Sequence, residues 1–419
     1  MKQRRTSSRL CKGTIAMLCG LVSAGAFASG FQLQEQSASG LGVAYSGLAA
    51  ASQDASIVFW NPAGMSSLPG SDIAVVANYL VPSFRFKSSG STYDGFGDGG
   101  NAGVSTLVPA LYVKTSLTPS VAVGLAVNSP FGLSTDWNSQ WAGMFYAVKS
   151  KVETLNVNPA ISYKVNDVLS LGAGVSYQRL KATLTQAVTP LIPTAQGRLD
   201  GSDWAWGWNL GVLLDFGQGT RVGATYRSAA NNSIRGDLSF NTASLAPLNA
   251  TAQASLKLPQ TASLGVAQQF GSKLRALIDY SWTGWNSISS LAVIATSGPL
   301  AGQPVVDDAL NFKSSWRVGL GLEYRLVPAW LLRGGLAYDR SPVEDAFRTP
   351  RLPDNDRKWL AVGARWEPSS DWSVDLGYAY LWVKDGPSEL TSPGPVPGAL
   401  LGTYTSNTSI LGVQASFHF

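Results

Sequence analysis

Trp316-Arg317-Val318-Gly319-Leu320-Gly321-Leu322-Glu323-Tyr324-Arg325-Leu326 places a large apolar side chain at every second position and a charge or a glycine between. Successive side chains of a strand point to opposite faces, so this is a β-strand with one greasy face and one polar or empty face. The pattern returns at Trp330, Leu332, Leu336 and Tyr338 against Arg333, Gly335 and Asp339. It returns again at Val374, Leu376, Tyr378, Tyr380 and Trp382 against Ser373, Asp375 and Gly377. Past residue 28 there is no run of 18 apolar residues, hence no transmembrane helix in the pattern. An exported chain with alternating apolarity is either a β-sandwich, whose greasy faces meet each other, or an outer-membrane barrel, whose greasy faces meet lipid.

Export is indicated by the first 28 residues. Lys2, Arg4, Arg5, Arg9 and Lys12 precede an apolar run from Gly13 to Phe27, and Ala26-Phe27-Ala28 has the small-x-small form of a cleavage site. Residues 1–28 therefore read as a secretory signal. Both cysteines, Cys11 and Cys19, lie within it, so the remainder has no disulfide and no cysteine-bound metal. Leu18 before Cys19 is bulky where lipoprotein processing wants a small residue. The formal charge of +5 also resides in this leader: without it 26 basic side chains face 26 acidic ones, and no nucleic-acid partner is implied.

The connections decide between sandwich and barrel. Strands are predicted at 72–86, 104–117, 121–129, 152–164, 168–181, 203–216, 220–228, 252–269, 273–294, 310–326, 329–340, 357–367, 371–383 and 403–419. Every second link is brief: Thr118-Pro119-Ser120, Val165-Asn166-Asp167, Gly217-Gln218-Gly219, Gly271-Ser272, Val327-Pro328 and Pro368-Ser369-Ser370. The links between them are long and rich in Gly, Pro, Ser and Asn. A barrel with short periplasmic turns and long outer loops demands this alternation, whereas a sandwich has no reason to sort loops by parity. Aromatics near both strand ends suit the two bilayer interfaces, and the last strand ends on Phe419. The predicted fold is an all-β transmembrane antiparallel barrel of about fourteen strands over 72–419. So wide a bore leaks unless filled, and residues 29–71, with their small and polar residues and short apolar stretches, are the expected plug.

Within that segment stand Gly30-Phe31-Gln32-Leu33, Ser39-Gly40-Leu41-Gly42, Ala44-Tyr45-Ser46-Gly47 and Asn61-Pro62-Ala63. Further on come Trp206-Gly207-Trp208-Asn209, Thr225-Tyr226-Arg227-Ser228, Leu256 to Pro259, Phe312-Lys313 with Trp316-Arg317, Ser341-Pro342-Val343 and Pro353-Asp354-Asn355-Asp356-Arg357. In these stretches, by their order and spacing, the chain resembles the FadL family of outer-membrane transporters for long-chain fatty acids and other hydrophobic compounds. The resemblance implies a monomeric barrel with an N-terminal hatch, a loop groove that first meets substrate, a deeper pocket near the hatch N-terminus, and lateral release at a kink in the third strand. Asn128-Ser129-Pro130-Phe131-Gly132 is where such a kink falls here, because Pro followed by Gly interrupts a ladder; Phe131 and Gly132 are the candidates.

Substrate-binding candidates are Phe31 at the deep pocket, Lys313 and Arg317 as partners for a carboxylate, and Trp137, Trp141 and Phe145 with Met144 and Tyr146 as exposed greasy loop surface. Val188, Leu191 and Ile192 offer the same in the next loop. Lys313 matches a lysine of the family pattern. The basic residue expected near position 184 is a leucine, which puts a simple carboxylate site in doubt. Arg179 and Lys181 share the parity of the outward Val175 and Tyr177. Arg227, Asp279, Arg317, Glu323, Arg333, Asp339 and Arg365 face the lumen and are expected to pair across the bore and with the hatch. Asn61, Pro62 and Ala63 are expected to brace the hatch against the kinked strand. Gly172, Gly174, Gly319 and Gly321 are inward small residues that make room for it, and the Asp94–Asp98 loop is read as a loop without metal. With no cysteine after the leader, a single histidine at position 418 and no Gly-x-Ser-x-Gly, the chain is not read as an enzyme. No cofactor is expected. Its partners are hydrophobic small molecules and outer-membrane lipid; neutral aromatic or aliphatic hydrocarbons, a polar-solute porin and a surface receptor remain as alternatives.

Overall fold

The computed structural model describes residues 30–51, 53–392, 396 and 398–419; the predicted secretory signal over residues 1–28 lies outside them. Fourteen antiparallel staves close on themselves. They are β1 (Ser71–Ser88), β2 (Thr106–Ser116), β3 (Val121–Asn128 and Gly132–Asp136), β4 (Lys149–Lys164), β5 (Leu169–Ala187), β6 (Gln196–Asp215) and β7 (Thr220–Arg227 and Ala230–Phe240). They continue as β8 (Ala250–Leu258 and Thr261–Phe270), β9 (Leu274–Thr283 and Ser290–Ala295), β10 (Pro304–Ala309 and Ser315–Val327), β11 (Trp330–Asp339), β12 (Arg357–Ser369), β13 (Trp372–Val383 and Gly386–Ser392) and β14 (Gly398–His418). Closure is a full ladder between β1 and β14, from Asp72 opposite His418 to Ser88 opposite Gly402. Ser71 and Phe419 exchange backbone bonds of 2.8 and 3.0 Å at its end, so no edge lies open in hydrocarbon.

The alternation in the opening sequence now has its cause. Val318, Leu320 and Leu322 are 41–48% exposed on the outside, where they meet lipid, while Arg317 and Glu323 are buried inside. Outward rings gather in belts: Tyr177 with Trp204 and Trp206, and Trp316 with Tyr338, lie toward the long loops, and Trp330, Trp366 and Trp372 toward the short turns.

Several staves outrun their predicted ends on the loop side. β5 runs to Ala187, β6 starts at Gln196, and β7, β10 and β13 each add a second segment after a break. These extensions escape a search for alternation because they carry Arg198, Asp200 and Ser202 on the outside. Beyond the hydrocarbon nothing requires an outward face to be apolar.

Inside the barrel lies the segment that precedes β1. It forms short helices α1 (Ala38–Leu41) and α2 (Ile57–Trp60) and a 3-10 turn over Pro62–Ser67. Ser37 caps α1 by accepting from the Gly40 amide at 3.1 Å. Barrel glycines admit the segment: a Cβ on Gly335 would lie 2.2 Å from the Val43 carbonyl carbon, and one on Gly172 would lie 2.2 Å from the Ala63 nitrogen. Gly319 and Gly321 serve likewise, against Ser46 and Val43, whereas Gly174 lies between Asn158 and Asn209 of the wall.

Candidate functional site

The interruption of β3 is the place where the lumenal segment joins the wall. From Ser129 to Phe131 the ladder with β4 stops, and residues 31–33 pair with it instead. Leu33 donates to the Pro130 carbonyl at 2.8 Å and Gly132 donates to the Phe31 carbonyl at 2.9 Å, around a Gln32–Phe131 bridge. Gln36 ties the break further, donating to the Ser129 carbonyl at 2.9 Å and accepting from the Asn128 amide at 2.8 Å. Proline at 130 has no N–H to give the ladder, so the break loses little there. The Phe131 N–H, which would be stranded, donates to Thr154 Oγ1 at 3.0 Å.

Phe31 projects from this graft into an aromatic cluster. Its ring lies 4.8 Å from Trp285 and 6.0 Å from Phe131, and Trp285 lies 6.1 Å from Phe312. On the loop side of the cluster is a cavity of about 100 Å³ whose walls are Phe31, Leu133, Val152, Leu184, Ile234, Leu256, Ile288, Leu291, Val293, Leu310, Phe312 and Leu352. Its few polar neighbours include Ser150, Thr349 and Arg351. The Arg351 guanidinium is 4% exposed and is engaged by Asp308 at 2.8 Å, Ser150 at 3.4 Å and Gln186. Below the cluster is a second cavity of about 60 Å³, polar on one side, lined by Gln32, Gln34, Tyr45, Phe59, Trp60, Phe131, Arg227 and Asp279 and by the hydroxyl residues Thr225, Thr261, Ser263, Ser281 and Thr283.

Opposite the graft, the segment is bound by ions. Arg333 joins Glu323 at 2.9 Å and Asp375, and donates to Gln53 at 2.8 Å; Arg365 joins Asp375 at 2.9 Å and Asp54 at 3.0 Å. Asp54 also accepts from Ser39 at 2.8 Å. Burial pushes the Asp54 carboxyl up, but Arg365, Ser56 and Ser39 outweigh it and hold its pKa below the usual carboxylate value. Glu35 differs: both of its buried oxygens lack a hydrogen-bond partner among the described residues, and burial raises its pKa to about 8 against the opposing pull of its backbone and Arg357.

The predicted site residues divide. Phe31 lines the apolar cavity. Lys313 does not: it is 64% exposed and pairs with Glu344 at 3.5 Å, because Leu310–Ser314 is irregular, with Asn311 at φ 44°, and the inward parity of β10 is lost there. Arg317 faces inward but binds Asp279 at 3.4 Å and the Ala44 carbonyl, bracing the lumenal segment outside both cavity walls. Trp137 and Trp141, expected on an exposed surface, are 2% and 0% exposed. Their rings stack at 4.4 Å, and their indole N–H groups donate to the Pro350 and Ala147 carbonyls at 3.0 and 2.9 Å, which is why a loop can bury them. Met144 is buried beside them, and Phe145 packs on Tyr93 at 4.7 Å. Leu191 does stand in the open.

Asn61, Pro62 and Ala63 brace chiefly the regular staves beyond the kinked one, from β4 to β6. Asn61 donates to the Ala49 and Val212 carbonyls at 2.6 and 3.0 Å, and the Ala63 carbonyl accepts from Ser162 at 3.0 Å, which ties the turn to β6 and β4. Arg351, Ile234, Trp285 and Phe312 were missed as site residues. Of these, Phe312 carried a signal, since it precedes Lys313 in the family-like stretch.

Taken together, these features define a plugged outer-membrane barrel with an apolar chamber above the graft of plug onto wall. Residues 19–419 match the family described as "Outer membrane protein transport protein (OMPP1/FadL/TodX)", and the chain belongs to that family. It is 29% identical over 431 residues to the "Long-chain fatty acid transport protein" of Escherichia coli (strain K12), spanning 91% of this chain and 95% of that one. It is 30% identical over 407 residues to the "47 kDa outer membrane protein" of Pasteurella multocida (strain Pm70), spanning 90% and 92%. The crystal structure of a Pseudomonas aeruginosa FadL homologue superposes with a TM-score of 0.86 at 25% identity, covering 93% of this chain and all of that one. The Pseudomonas putida toluene transporter TodX shares the fold, with a TM-score of 0.68 at 15% identity over 87% of this chain and 94% of that one.

Proposed function

We propose that this protein takes up long-chain fatty acids or similar long apolar molecules, acting as a monomer. The observation that carries this reading is the greasy cavity roofed over Phe31 and floored by the graft of residues 31–33 onto the broken β3. A long chain in a water-filled pore exposes methylenes at about 0.8 kcal/mol each, so an apolar chamber with a short way to lipid serves it better than an open channel. The chain settles among Leu184, Ile234, Leu256 and Phe312; withdrawal of Phe31 and Gln32 from β3 then opens both the floor and the wall at Ser129–Gly132. The names of the curated relatives support the fatty acid, while a lining whose one guanidinium is already paired also suits a neutral hydrocarbon.

The test is oleate uptake by cells that lack their own transporter and express this chain. Uptake is expected to saturate and to survive collapse of the inner-membrane proton gradient. Ile234→Trp, which fills the chamber, is expected to lower it by about tenfold, the usual order for losing a well-packed apolar subsite. Unchanged uptake in that variant, or a sustained open current in a planar bilayer, would overturn the proposal.

A further inference from the structure

The apolar cavity explains where an acyl chain sits and leaves its carboxylate without a receptor, since Arg351 is already paired with Asp308. The chamber beneath the aromatic cluster has what is missing above. Arg227 lines it as a half-buried cation whose hydrogen-bond partners among the described residues are all neutral: Asn158 Oδ1 at 3.3 Å, Ser176 Oγ at 3.0 Å and the Phe59 carbonyl at 3.1 Å, with its guanidinium 4.4 Å above the Phe59 ring. A cation partly withdrawn from water without a counter-ion carries a desolvation cost, and an arriving anion relieves it.

Two residues of the lining carry further donors beside the chamber. The Tyr45 hydroxyl, on a residue only 2% exposed, and the Trp60 Nε1 are buried, and neither meets a hydrogen-bond partner among the described residues. The chamber walls thus run from Tyr45 to Trp60, ring to ring at 5.7 Å, on to Phe59 at 5.4 Å, and so to Arg227. Tyr45 reaches its place at a cost to the backbone: Ala44 and Tyr45 hold φ values of 48° and 55°, a left-handed pair without glycine, and strain of this kind is kept where the surroundings impose it. Burial and the neighbouring Glu35 raise the pKa of the phenol well above its ordinary value, so it remains a donor. Asp279, the acid in the lining, is held by Arg317. A space of about 60 Å³ admits a few water-sized groups; it takes a head group and excludes an acyl chain.

We propose that this lower chamber is a carboxylate subsite, in which Arg227, Tyr45 and Trp60 receive the head group of the substrate after it passes Phe31 and Phe131, while the chain still occupies the apolar cavity. The inference rests on the transport reading above and adds to it the chemical class of the substrate and the order of its passage, head first. Arg227 and Tyr45 discriminate an acid from its alcohol, whereas the upper cavity treats the two alike.

The experiment compares oleate with oleyl alcohol by equilibrium binding to the purified mature protein in nanodiscs, with empty discs as background. Arg227→Gln is expected to weaken oleate by about tenfold, the scale of one charge-assisted hydrogen bond, and to leave oleyl alcohol within about twofold; Arg227→Lys should recover part of the loss. Tyr45→Phe removes a hydroxyl that no described residue bonds, so it should leave the melting temperature unchanged, lower oleate affinity by about fivefold and spare the alcohol. It decides the matter alone if Arg227→Gln does not assemble. Equal weakening of both ligands in Arg227→Gln, or unaltered oleate binding in Tyr45→Phe, overturns the subsite and leaves the transporter standing. A wild-type protein that binds neither ligand overturns the transport reading itself.

Discussion

The two flanks of the lumenal segment are attached by different chemistry. Toward β10–β13 it is held by buried ion pairs that run from Glu323 through Arg333 and Asp375 to Arg365 and Asp54. Toward β3 it is held by a few backbone hydrogen bonds, the Gln36 amide and the ring of Phe31. A buried charge cannot leave its partner without a large desolvation penalty, whereas a three-residue graft of strand exchanges its bonds at modest net cost. On the proposed route the ionic flank is then expected to act as the fixed hinge and the β3 flank as the movable edge. The apolar cavity abuts the movable edge.

The largest expected effect comes from tethering that edge. Gln32 and Phe131 form a bridge flanked by the Leu33 and Gly132 bonds, the non-hydrogen-bonded kind, in which Cα atoms lie about 4.5 Å apart, within disulfide range. No cysteine follows position 19 to interfere. Gln32→Cys with Phe131→Cys, once oxidised, should reduce oleate uptake by more than about tenfold, and a reductant should restore it; the reduced form is its own control for the lost ring. Full uptake through the oxidised pair would show that the edge does not move.

Breaking the other flank should be costly in stability first. Arg365→Ala leaves Asp54 and Asp375 buried with one cation fewer, a loss on the order of 3–5 kcal/mol. The assembled barrel should melt lower, and limited proteolysis should reach residues 30–70 while the staves remain intact. If melting and cleavage match wild type, the ionic flank is no hinge.

This contrast marks how much of the molecule was legible beforehand. The strand count and the turn side were readable because hydrocarbon forces alternation on every residue it touches, as at Trp316–Leu326. The lumenal charges were readable as braces because Arg317, Arg333 and Arg365 fall at inward parity. Parity stops carrying information once a strand breaks, and that is where the site lies. Asn311 resets the register and carries Lys313 outward, while Arg351 comes from a loop with no period at all. Trp137 and Trp141 misled for a related reason: a loop tryptophan buries its ring if its N–H finds a carbonyl, and Pro350, far off in sequence, supplies one.

The smallest expected effect is a pH dependence of the movable edge. Glu35 lies between that edge and α1, its carboxyl buried without a hydrogen-bond partner among the described residues; Asp339, Arg317 and Arg357 act on it from the wall and Tyr45 stands near within the segment. Its pKa is about 8 when docked, against 4.5 for the free side chain, so the docked state holds an extra proton between those values. Docking is therefore fully supported below pH 4.5 and loses that support as pH rises to about 8, by at most tenfold per pH unit. Amide exchange at Leu33 and Gly132, corrected for its intrinsic pH dependence, should quicken over this window in the wild type. Glu35→Gln, which keeps the shape and cannot ionise, should flatten the curve while Asp54, secured by Arg365, keeps the far flank unchanged. Parallel curves for the two proteins would mean that Glu35 carries no part of the coupling, leaving the edge to be held by Phe31 and its backbone bonds alone.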